Sequence, residues 1–162
     1  MVIVVMGPAG AGKTTVGAAL AAALGWRFVD ADEYHSAANL AKMARGEGLT
    51  DDDRASWLAA LHDVIVHAAS RREPLVLAFS ALTAAHRARL AGDLRTVRFA
   101  YLKTSPDVLR ARLEARQHHV AKASLLASQL ATLEEPDDPS LVFNGQADVE
   151  TLVGNIRAEF GV

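Results

Sequence analysis

A glycine-rich segment near the start of the chain has the residue types and spacing of a phosphate-binding loop. Residues 7–14 fit the pattern G-x-x-x-x-G-K-[ST], in which glycines let successive backbone N–H groups turn onto an anion. In that pattern Lys13 reaches the β- and γ-phosphates of a nucleotide, and the Thr14 hydroxyl binds Mg²⁺. We therefore predict a nucleotide-binding loop that consists of Gly7, Pro8, Ala9, Gly10, Ala11, Gly12, Lys13, Thr14 and Thr15.

The elements on either side of this loop favour the same interpretation. Residues 2–6 form a continuous apolar run, as in a buried parallel strand. After the loop, Val16, Leu20 and Leu24 recur every fourth residue, and Gly25 is placed to end a helix, whose dipole would add to anion binding. Strand, loop and helix follow in the required order, so an ordinary glycine-rich turn is the weaker alternative.

Two acidic residues follow the second predicted strand, residues 26–29. Ligands of parallel sheets bind beyond the carboxyl ends of the strands, so Asp30 and Asp32 are expected close to the loop. They could also be solvated strand-end carboxylates. Two of them beside a phosphate loop favour a functional role.

The rest of the chain alternates apolar runs with amphipathic stretches. This alternation predicts one α/β domain over residues 1–162, with three layers, α/β/α, around a mostly parallel five-stranded sheet. Thr50 and Asp53 have the spacing of a capping box, which makes Asp51, Asp52 and Asp53 acids of a helix N-terminus. The other predicted strands are 75–79, 97–102 and 141–143, and the other predicted helices are 34–45, 83–91, 124–133, 149–160 and one after Ser105.

Composition excludes several classes of function. The net charge is −2, from 17 basic and 19 acidic residues, and no basic tract stands out, so nucleic acid is not an expected partner. The chain has no cysteine, which excludes disulfides and thiolate chemistry and agrees with a reducing compartment. The apolar run at residues 2–6 is too short to span a membrane. We expect a cytoplasmic protein without a membrane partner.

A pair of arginines precedes a segment that has no helical periodicity, residues 117–123. Arg112 and Arg116 are four residues apart and share a helix face, which could be a solvated basic face. We favour a lid at about residues 112–123, in which Arg112 binds nucleotide and Arg116 is catalytic, meeting the phosphates. The adjacent His118 and His119 lack a carboxylate or cysteine at ligand spacing, so no transition-metal site is expected.

Several motifs together resemble the gluconate kinase family, the small P-loop kinases of the shikimate-kinase-like group, over nearly the whole chain. Residues 30–35 resemble D-G-D-x-x-H, with Asn39, Lys42 and Met43 at family spacing, and residues 49–58 resemble L-x-D-x-D-R-x-P-W-L. Residues 80–82 match S-A-L, residues 112–119 resemble R-L-x-x-R-x-x-H, and residues 128–136 resemble S-Q-F-x-T-L-E-x-P.

The resemblance implies an enzyme that uses ATP and Mg²⁺ to phosphorylate a sugar-acid hydroxyl, converting D-gluconate to 6-phospho-D-gluconate. It implies that Thr14 and Asp30 hold Mg²⁺, partly through water, that Lys13 is catalytic, and that Asp32 accepts the hydrogen bond and later the proton of the attacking hydroxyl. It also suggests a homodimer. Phosphoryl transfer asks little of a base, so positioning is the larger part of the role of Asp32.

The same resemblance implies an acceptor site that contains Asp32, His35, Arg54 and Ser80. A guanidinium such as that of Arg54 can bind the carboxylate of a sugar acid bidentately. The alternative for Arg54 is a surface ion pair with a neighbouring acid. His35 could instead be a capping or surface histidine.

The chain departs from the family pattern near the expected acceptor site and lid. Thr83 stands where the family carries lysine after S-A-L, and it either lines the acceptor site or caps a helix. The other departures are Ser56, His86, Arg87, His118 and Val120. Because of these departures, a related kinase that acts on shikimate, a nucleotide or another polyol is the alternative function. A nucleotide-gated switch ranks last, because D-x-x-G and N-K-x-D are absent.

Overall fold

The computed structural model describes residues 1–45, 47, 49–115 and 120–162. Two short 3₁₀ helices, Ala31–Tyr34 and Pro139–Leu141, supplement the strands and α-helices. The strands are β1 Val2–Met6, β2 Arg27–Asp30, β3 Leu75–Ala78, β4 Val97–Lys103 and β5 Val142–Asn144. The helices are α1 Lys13–Leu24, α2 Ala37–Ala44, α3 Asp51–Ser70, α4 Ala84–Ala91, α5 Pro106–Glu114, α6 Val120–Thr132 and α7 Val149–Phe160.

The five strands form one sheet in the order β2-β3-β1-β4-β5, and each pair of neighbours is parallel. The strand β1 lies at the centre, paired with β3 on one side and β4 on the other. All five of its residues are buried, which explains its continuous apolar sequence. Parallel strands place their carboxyl ends at one edge, so the segments after β1, β2 and β3 meet there.

Helices cover both faces of the sheet and complete the three predicted layers. On one face Val2, Val4 and Met6 pack in a cluster with α3 and α4; on the other, Ile3 and Val5 pack with α1, α5, α6 and α7. The predicted α/β/α fold is therefore confirmed. Within the described ranges, none of the helices combines the length and apolar character that crossing a bilayer requires.

Two predicted helix bounds were wrong. The helix expected at 34–45 is instead the 3₁₀ helix Ala31–Tyr34 followed by α2, because the Ser36 side chain caps a new helix by accepting from Asn39 N–H. The helix α6 begins at Val120, not at 124, within the segment that was interpreted as aperiodic. Alanine and lysine in residues 121–123 are good helix formers, and a helix can begin there without an apolar stripe.

Candidate active site

The phosphate loop connects β1 to α1 at the carboxyl edge of the sheet. Gly7 adopts φ 144° and Gly10 adopts φ 86°, where an L side chain is strained. At Gly10 a Cβ would also lie 3.0 Å from the Leu109 carbonyl oxygen. The helix α1 follows Gly12, which has no side chain to cap the first amides of the helix. These amides are therefore suited to bind an anion.

Lys13 lies folded against the loop that it terminates. Its Nζ donates to the Pro8 carbonyl oxygen at 3.0 Å, and the Ala11 N–H donates to the same oxygen with an N···O distance of 3.2 Å. The loop also contacts the end of β3, since Gly7 N–H donates to the Ser80 carbonyl, N···O 3.2 Å. The ammonium group of Lys13 thus lies beside the loop backbone, where phosphates would bind.

The two residues predicted to hold Mg²⁺ are in direct contact. The Thr14 hydroxyl donates to Asp30 Oδ2 at 2.7 Å, and the other oxygen of Asp30 accepts from the Asp32 N–H at 3.0 Å. A hydroxyl and a carboxylate oxygen are ligands that suit Mg²⁺, which usually keeps several waters and binds substrate phosphates as well. Among the described residues, no cluster of three or more His, Cys, Asp or Glu could hold a metal.

Asp32 and His35 follow Asp30 on the 3₁₀ turn. The Asp32 side chain is exposed at the carboxyl edge. The His35 ring stacks on Trp57 with centroids 4.1 Å apart, and its buried Nδ1 lacks a hydrogen-bond partner among the described residues. Burial lowers the pKa of His35 below 6.5, and the charge of Asp32 partly opposes this shift. The ring therefore offers a neutral polar atom beside Asp32.

The stack of His35 on Trp57 is held in place by contacts of Trp57 with the segments that follow β2 and β3. Trp57 of α3 donates its indole N–H to the Ala31 carbonyl at 2.7 Å, and its ring meets Phe79 edge-on at 5.1 Å. Because Phe79 directly follows β3, this wall joins the ends of β2 and β3. From the sequence, Trp57 was identified only as part of the family motif at residues 49–58, without a role in the site.

The first turn of α3, which carries Arg54, is fixed by hydrogen bonds among four residues. Thr50 and Asp53 form the predicted capping box. Lys42 donates to both Asp53 oxygens at 2.9 and 2.7 Å, and the buried Asn39 donates to the Asp53 carbonyl at 3.2 Å. The bonds from Lys42, and after them those with Thr50, lower the pKa of Asp53 to about 2. Arg54 is exposed beside this clamp of Asn39, Lys42 and Asp53.

The S-A-L segment is braced by the segment after α6. Ala81 is buried and adopts φ 45°, an unusual angle for a residue with a Cβ. Arg87 Nη1 donates to the carbonyls of Ala81 and Glu134 at 3.1 and 2.8 Å. The Glu134 carboxylate accepts from Ala84 N–H at 2.6 Å. The T-L-E and S-A-L motifs are therefore contact partners, which their separation in sequence did not reveal.

Thr83 is the N-cap of α4, and its hydroxyl accepts from His86 N–H at 3.1 Å. This is the capping alternative that the sequence offered. Thr83 is half-buried, next to the Ala84 N–H that Glu134 occupies. Helix capping thus accounts for the hydroxyl without any ligand.

A cavity of about 360 Å³ lies beside the phosphate loop and is suited to a nucleoside. Arg112 borders it and donates through Nη1 to the carbonyls of Gly145 and Gly10 at 3.1 and 3.4 Å. The nucleotide contact predicted for Arg112 stays a prediction, and Arg116, His118 and His119 lie outside the described residues. The other residues that line the cavity are Ala11, Gly12, Thr15, Val16, Ala115, Ala147, Val149 and Leu152.

The residues from β5 to α7 that border this cavity were missed from the sequence. The signal was Gly145, which directly follows a short strand at the carboxyl edge and approaches the β4 backbone closely: a Cβ there would lie 3.1 Å from Leu102 carbonyl atoms. A second cavity, of about 480 Å³, borders β5 and α7, but none of its lining residues belongs to the phosphate loop. We therefore assign the nucleoside to the first cavity.

A phosphate loop at the carboxyl edge of a five-stranded parallel sheet, with an acidic pair at the end of β2, defines the class of P-loop kinases. A family model described as an AAA domain matches residues 2–136. The chain is 43% identical to the gluconokinase of Gluconobacter oxydans (strain 621H), over 97% of this chain and 92% of that one. The chain belongs to the gluconokinase family.

Solved structures agree with this membership. A gluconokinase from Sinorhizobium meliloti 1021 superposes with a TM-score of 0.85 at 36% identity, over 98% of this chain and 90% of that one. A shikimate kinase from Bacteroides thetaiotaomicron superposes with a TM-score of 0.67 at 21% identity, over 100% and 99% of the two chains, and shares the fold alone. The chain is accordingly a phosphotransferase that uses ATP on an alcohol group of a small molecule.

Proposed function

We propose that this protein transfers the γ-phosphoryl group of ATP to D-gluconate, which gives 6-phospho-D-gluconate. The observation that carries the proposal is the 2.7 Å bond between Thr14 and Asp30, because it joins the phosphate loop to the acidic segment expected to face the acceptor. Identity of 43% to a gluconokinase over 97% of the chain supports gluconate as that acceptor. A shikimate acceptor has no comparable support, because the shikimate kinase shares only the fold.

The loop residues and the first amides of α1 would bind the phosphates, with Lys13 at the β- and γ-phosphates. Thr14 and Asp30 would hold Mg²⁺, and their contact fits that ion. Bound there, Mg²⁺ neutralises charge on the phosphates. The cavity between the loop and Gly145 would take the nucleoside.

Asp32 would accept the hydrogen bond of the attacking gluconate hydroxyl and finally its proton. Its exposed carboxylate beside Asp30 supports this role, since the hydroxyl must lie near the phosphate that it attacks. His35, whose ring lies beside Asp32, would line the acceptor site, and Ser80 lies where β3 meets the loop. Arg54, at the start of α3, would bind the gluconate carboxylate.

The remaining roles complete the proposal. Residues 1–162 act as a single P-loop kinase domain, with a lid at about 112–123 that carries Arg112 and the catalytic Arg116. Arg112 already borders the cavity, which supports its contact with nucleotide. A cytoplasmic location, a homodimer and the absence of nucleic-acid binding belong to the same proposal. They are supported, in that order, by the lack of cysteine, by the family resemblance and by the net charge.

The test is ATP consumption by the purified protein with Mg²⁺ and one acceptor at a time. Gluconate should give fast turnover and a phosphate ester at its terminal hydroxyl, identified by ³¹P NMR. Shikimate, a nucleoside monophosphate and no acceptor should give only slow background hydrolysis. Faster turnover on any of those controls than on gluconate would refute the assignment of the acceptor.

A further inference from the structure

Gln129 of α6 contacts the phosphate loop directly. Its Oε1 accepts a hydrogen bond from the Ala9 N–H at 2.7 Å, across 120 residues of sequence. Gln129 is half-buried, so the bond is partly shielded from water. The catalytic roles described above make no use of this residue.

The bond acts on the same peptide group that contacts Lys13. The carbonyl of Pro8 and the N–H of Ala9 belong to one peptide group, which is planar and moves as a unit. That carbonyl accepts from Lys13 Nζ at 3.0 Å and from Ala11 N–H at an N···O distance of 3.2 Å. Fixing the N–H therefore fixes the direction of the carbonyl, and a bond at one end of a peptide group strengthens bonding at the other.

Gln129 is itself held in place by the anchored end of α6. Leu126 is buried in the core, and Leu133 packs against the cluster on the opposite face of the sheet. The Glu134 N–H donates to the Leu82 carbonyl, N···O 2.8 Å, and Lys103 Nζ donates to Glu135 at 2.7 Å. These contacts on both sides of Gln129 give its amide a defined position over the loop.

We propose that Gln129 is a positioning residue that acts on Lys13 through the peptide group between Pro8 and Ala9. This rests on the proposed function, in that the loop must bind ATP. A glutamine suits the role because its neutral amide oxygen accepts from Ala9 without adding a negative charge beside the phosphates. An oriented carbonyl keeps the ammonium group of Lys13 close to the loop, so that less freedom is lost when ATP binds.

The test compares wild type, Gln129→Met, Lys13→Ala and the double variant. Methionine has a similar length but no amide oxygen, so the half-buried contacts of Gln129 are kept. The dissociation constant of a fluorescent ATP analogue with Mg²⁺ is measured for each protein, which makes the readout independent of the acceptor. Gln129→Met should raise this constant by about 2-fold to 10-fold, as for one neutral hydrogen bond. In the Lys13→Ala background the rise should be below about 2-fold, because no ammonium remains to be positioned.

Three further measurements complete the test. Amide exchange at Ala9 should be faster in Gln129→Met than in wild type. In steady-state assays kcat/KM for ATP should fall, while KM for gluconate stays within about twofold. Ser128→Ala, a change at the exposed neighbouring position on α6, is the matched control and should leave ATP affinity unchanged.

The proposal would be overturned if Gln129→Met raised the dissociation constant of the ATP analogue by the same factor with Lys13 present and with Lys13→Ala. Unchanged amide exchange at Ala9 in Gln129→Met would also overturn it. An equal loss of affinity in Ser128→Ala would also overturn it, because the effect would then belong to α6 as a whole. A wild-type protein that does not bind the ATP analogue would refute the proposed function itself, and that outcome is distinct from the other three.

Discussion

At the scale of single residues, the surroundings of two aspartates separate a structural acid from a functional one. Asp53 accepts from Lys42 and from Thr50, so its oxygens are engaged within the fold and its pKa falls to about 2. The Asp32 carboxylate is exposed beside Asp30, which already bonds the phosphate loop through Thr14. An acid at the ligand edge of the sheet whose carboxylate makes no hydrogen bond within the described part of the chain is the better candidate for chemistry.

Changing Asp32 to asparagine should lower kcat by about 100-fold or more, as expected for loss of a group that accepts the hydroxyl proton. The dissociation constant of ATP should stay within about twofold, because the role proposed for Asp32 is toward the acceptor and not the nucleotide. Steady-state kinetics and nucleotide titration measure both quantities. Glu33→Gln is the matched control at the next exposed carboxylate. If ATP affinity fell while kcat held, Asp32 would belong to the metal site instead.

The pKa of His35 gives a pH dependence of stability. Because burial lowers this pKa below 6.5, the native state binds the proton less readily than the unfolded chain. The free energy of unfolding should therefore be insensitive to this group well above pH 6.5, and should fall as the pH drops from 6.5 toward the lowered native pKa.

An NMR titration of the ring and denaturant unfolding at several pH values measure this effect. His35→Phe keeps a ring on Trp57 and should reduce the loss of stability in acid. A native titration midpoint at or above pH 6.5 would contradict the prediction.

At the scale of elements, the clamp between α2 and α3 sets the position of Arg54. Arg54→Lys should raise KM for gluconate by about 10-fold or more, because an ammonium lacks the planar fork that binds a carboxylate at two points. KM for ATP should not change. Lys42→Met should give a smaller rise, since it removes a bond that orients the first turn of α3 but leaves the guanidinium. A fully active Arg54→Ala would show that the gluconate carboxylate binds elsewhere.

The start of α4 distinguishes the two interpretations of Thr83. Because the hydroxyl caps the helix through His86 N–H, Thr83→Lys should cost about 1 kcal/mol of unfolding free energy. KM for gluconate should stay within about twofold, as expected for a residue outside the acceptor site. Thr83→Ser keeps the cap and is the control. Tighter binding of gluconate by Thr83→Lys, at wild-type stability, would instead support the interpretation that Thr83 lines the acceptor site.

At the scale of the whole molecule, local patterns predicted the layers but not the contacts between distant segments. The strands β1, β3 and β4 were predicted within a residue or so. β1 and β3 are continuous apolar runs because they are buried on both faces, and β4 is apolar except at Arg98 and Lys103. The hydrogen bonds between Ala9 and Gln129 and between Ala84 and Glu134 join residues that are 120 and 50 positions apart in the sequence. These long-range hydrogen bonds depend on where α6 packs, and the periodicity of apolar residues does not determine that position.

Those distant contacts bear on the lid that we propose at about residues 112–123. Gln129, Glu134 and Glu135 tie the end of α6 to the loop, to α4 and to β4, so this end should serve as the fixed base of the lid. Hydrogen exchange should show peptides that cover residues 112–123 gaining protection when an ATP analogue and gluconate bind, because a kinase must exclude water from the transfer.

Peptides that cover residues 129–135 are the internal control, and should already be protected in the free protein because their amides and side chains are bonded within the fold. The two sets of peptides are read in one experiment, so a difference between them cannot arise from sample preparation. Equal protection of residues 112–123 with and without ligands would contradict lid closure. A gain of protection confined to residues 129–135 would show that the segment expected to be the fixed base is the part that moves.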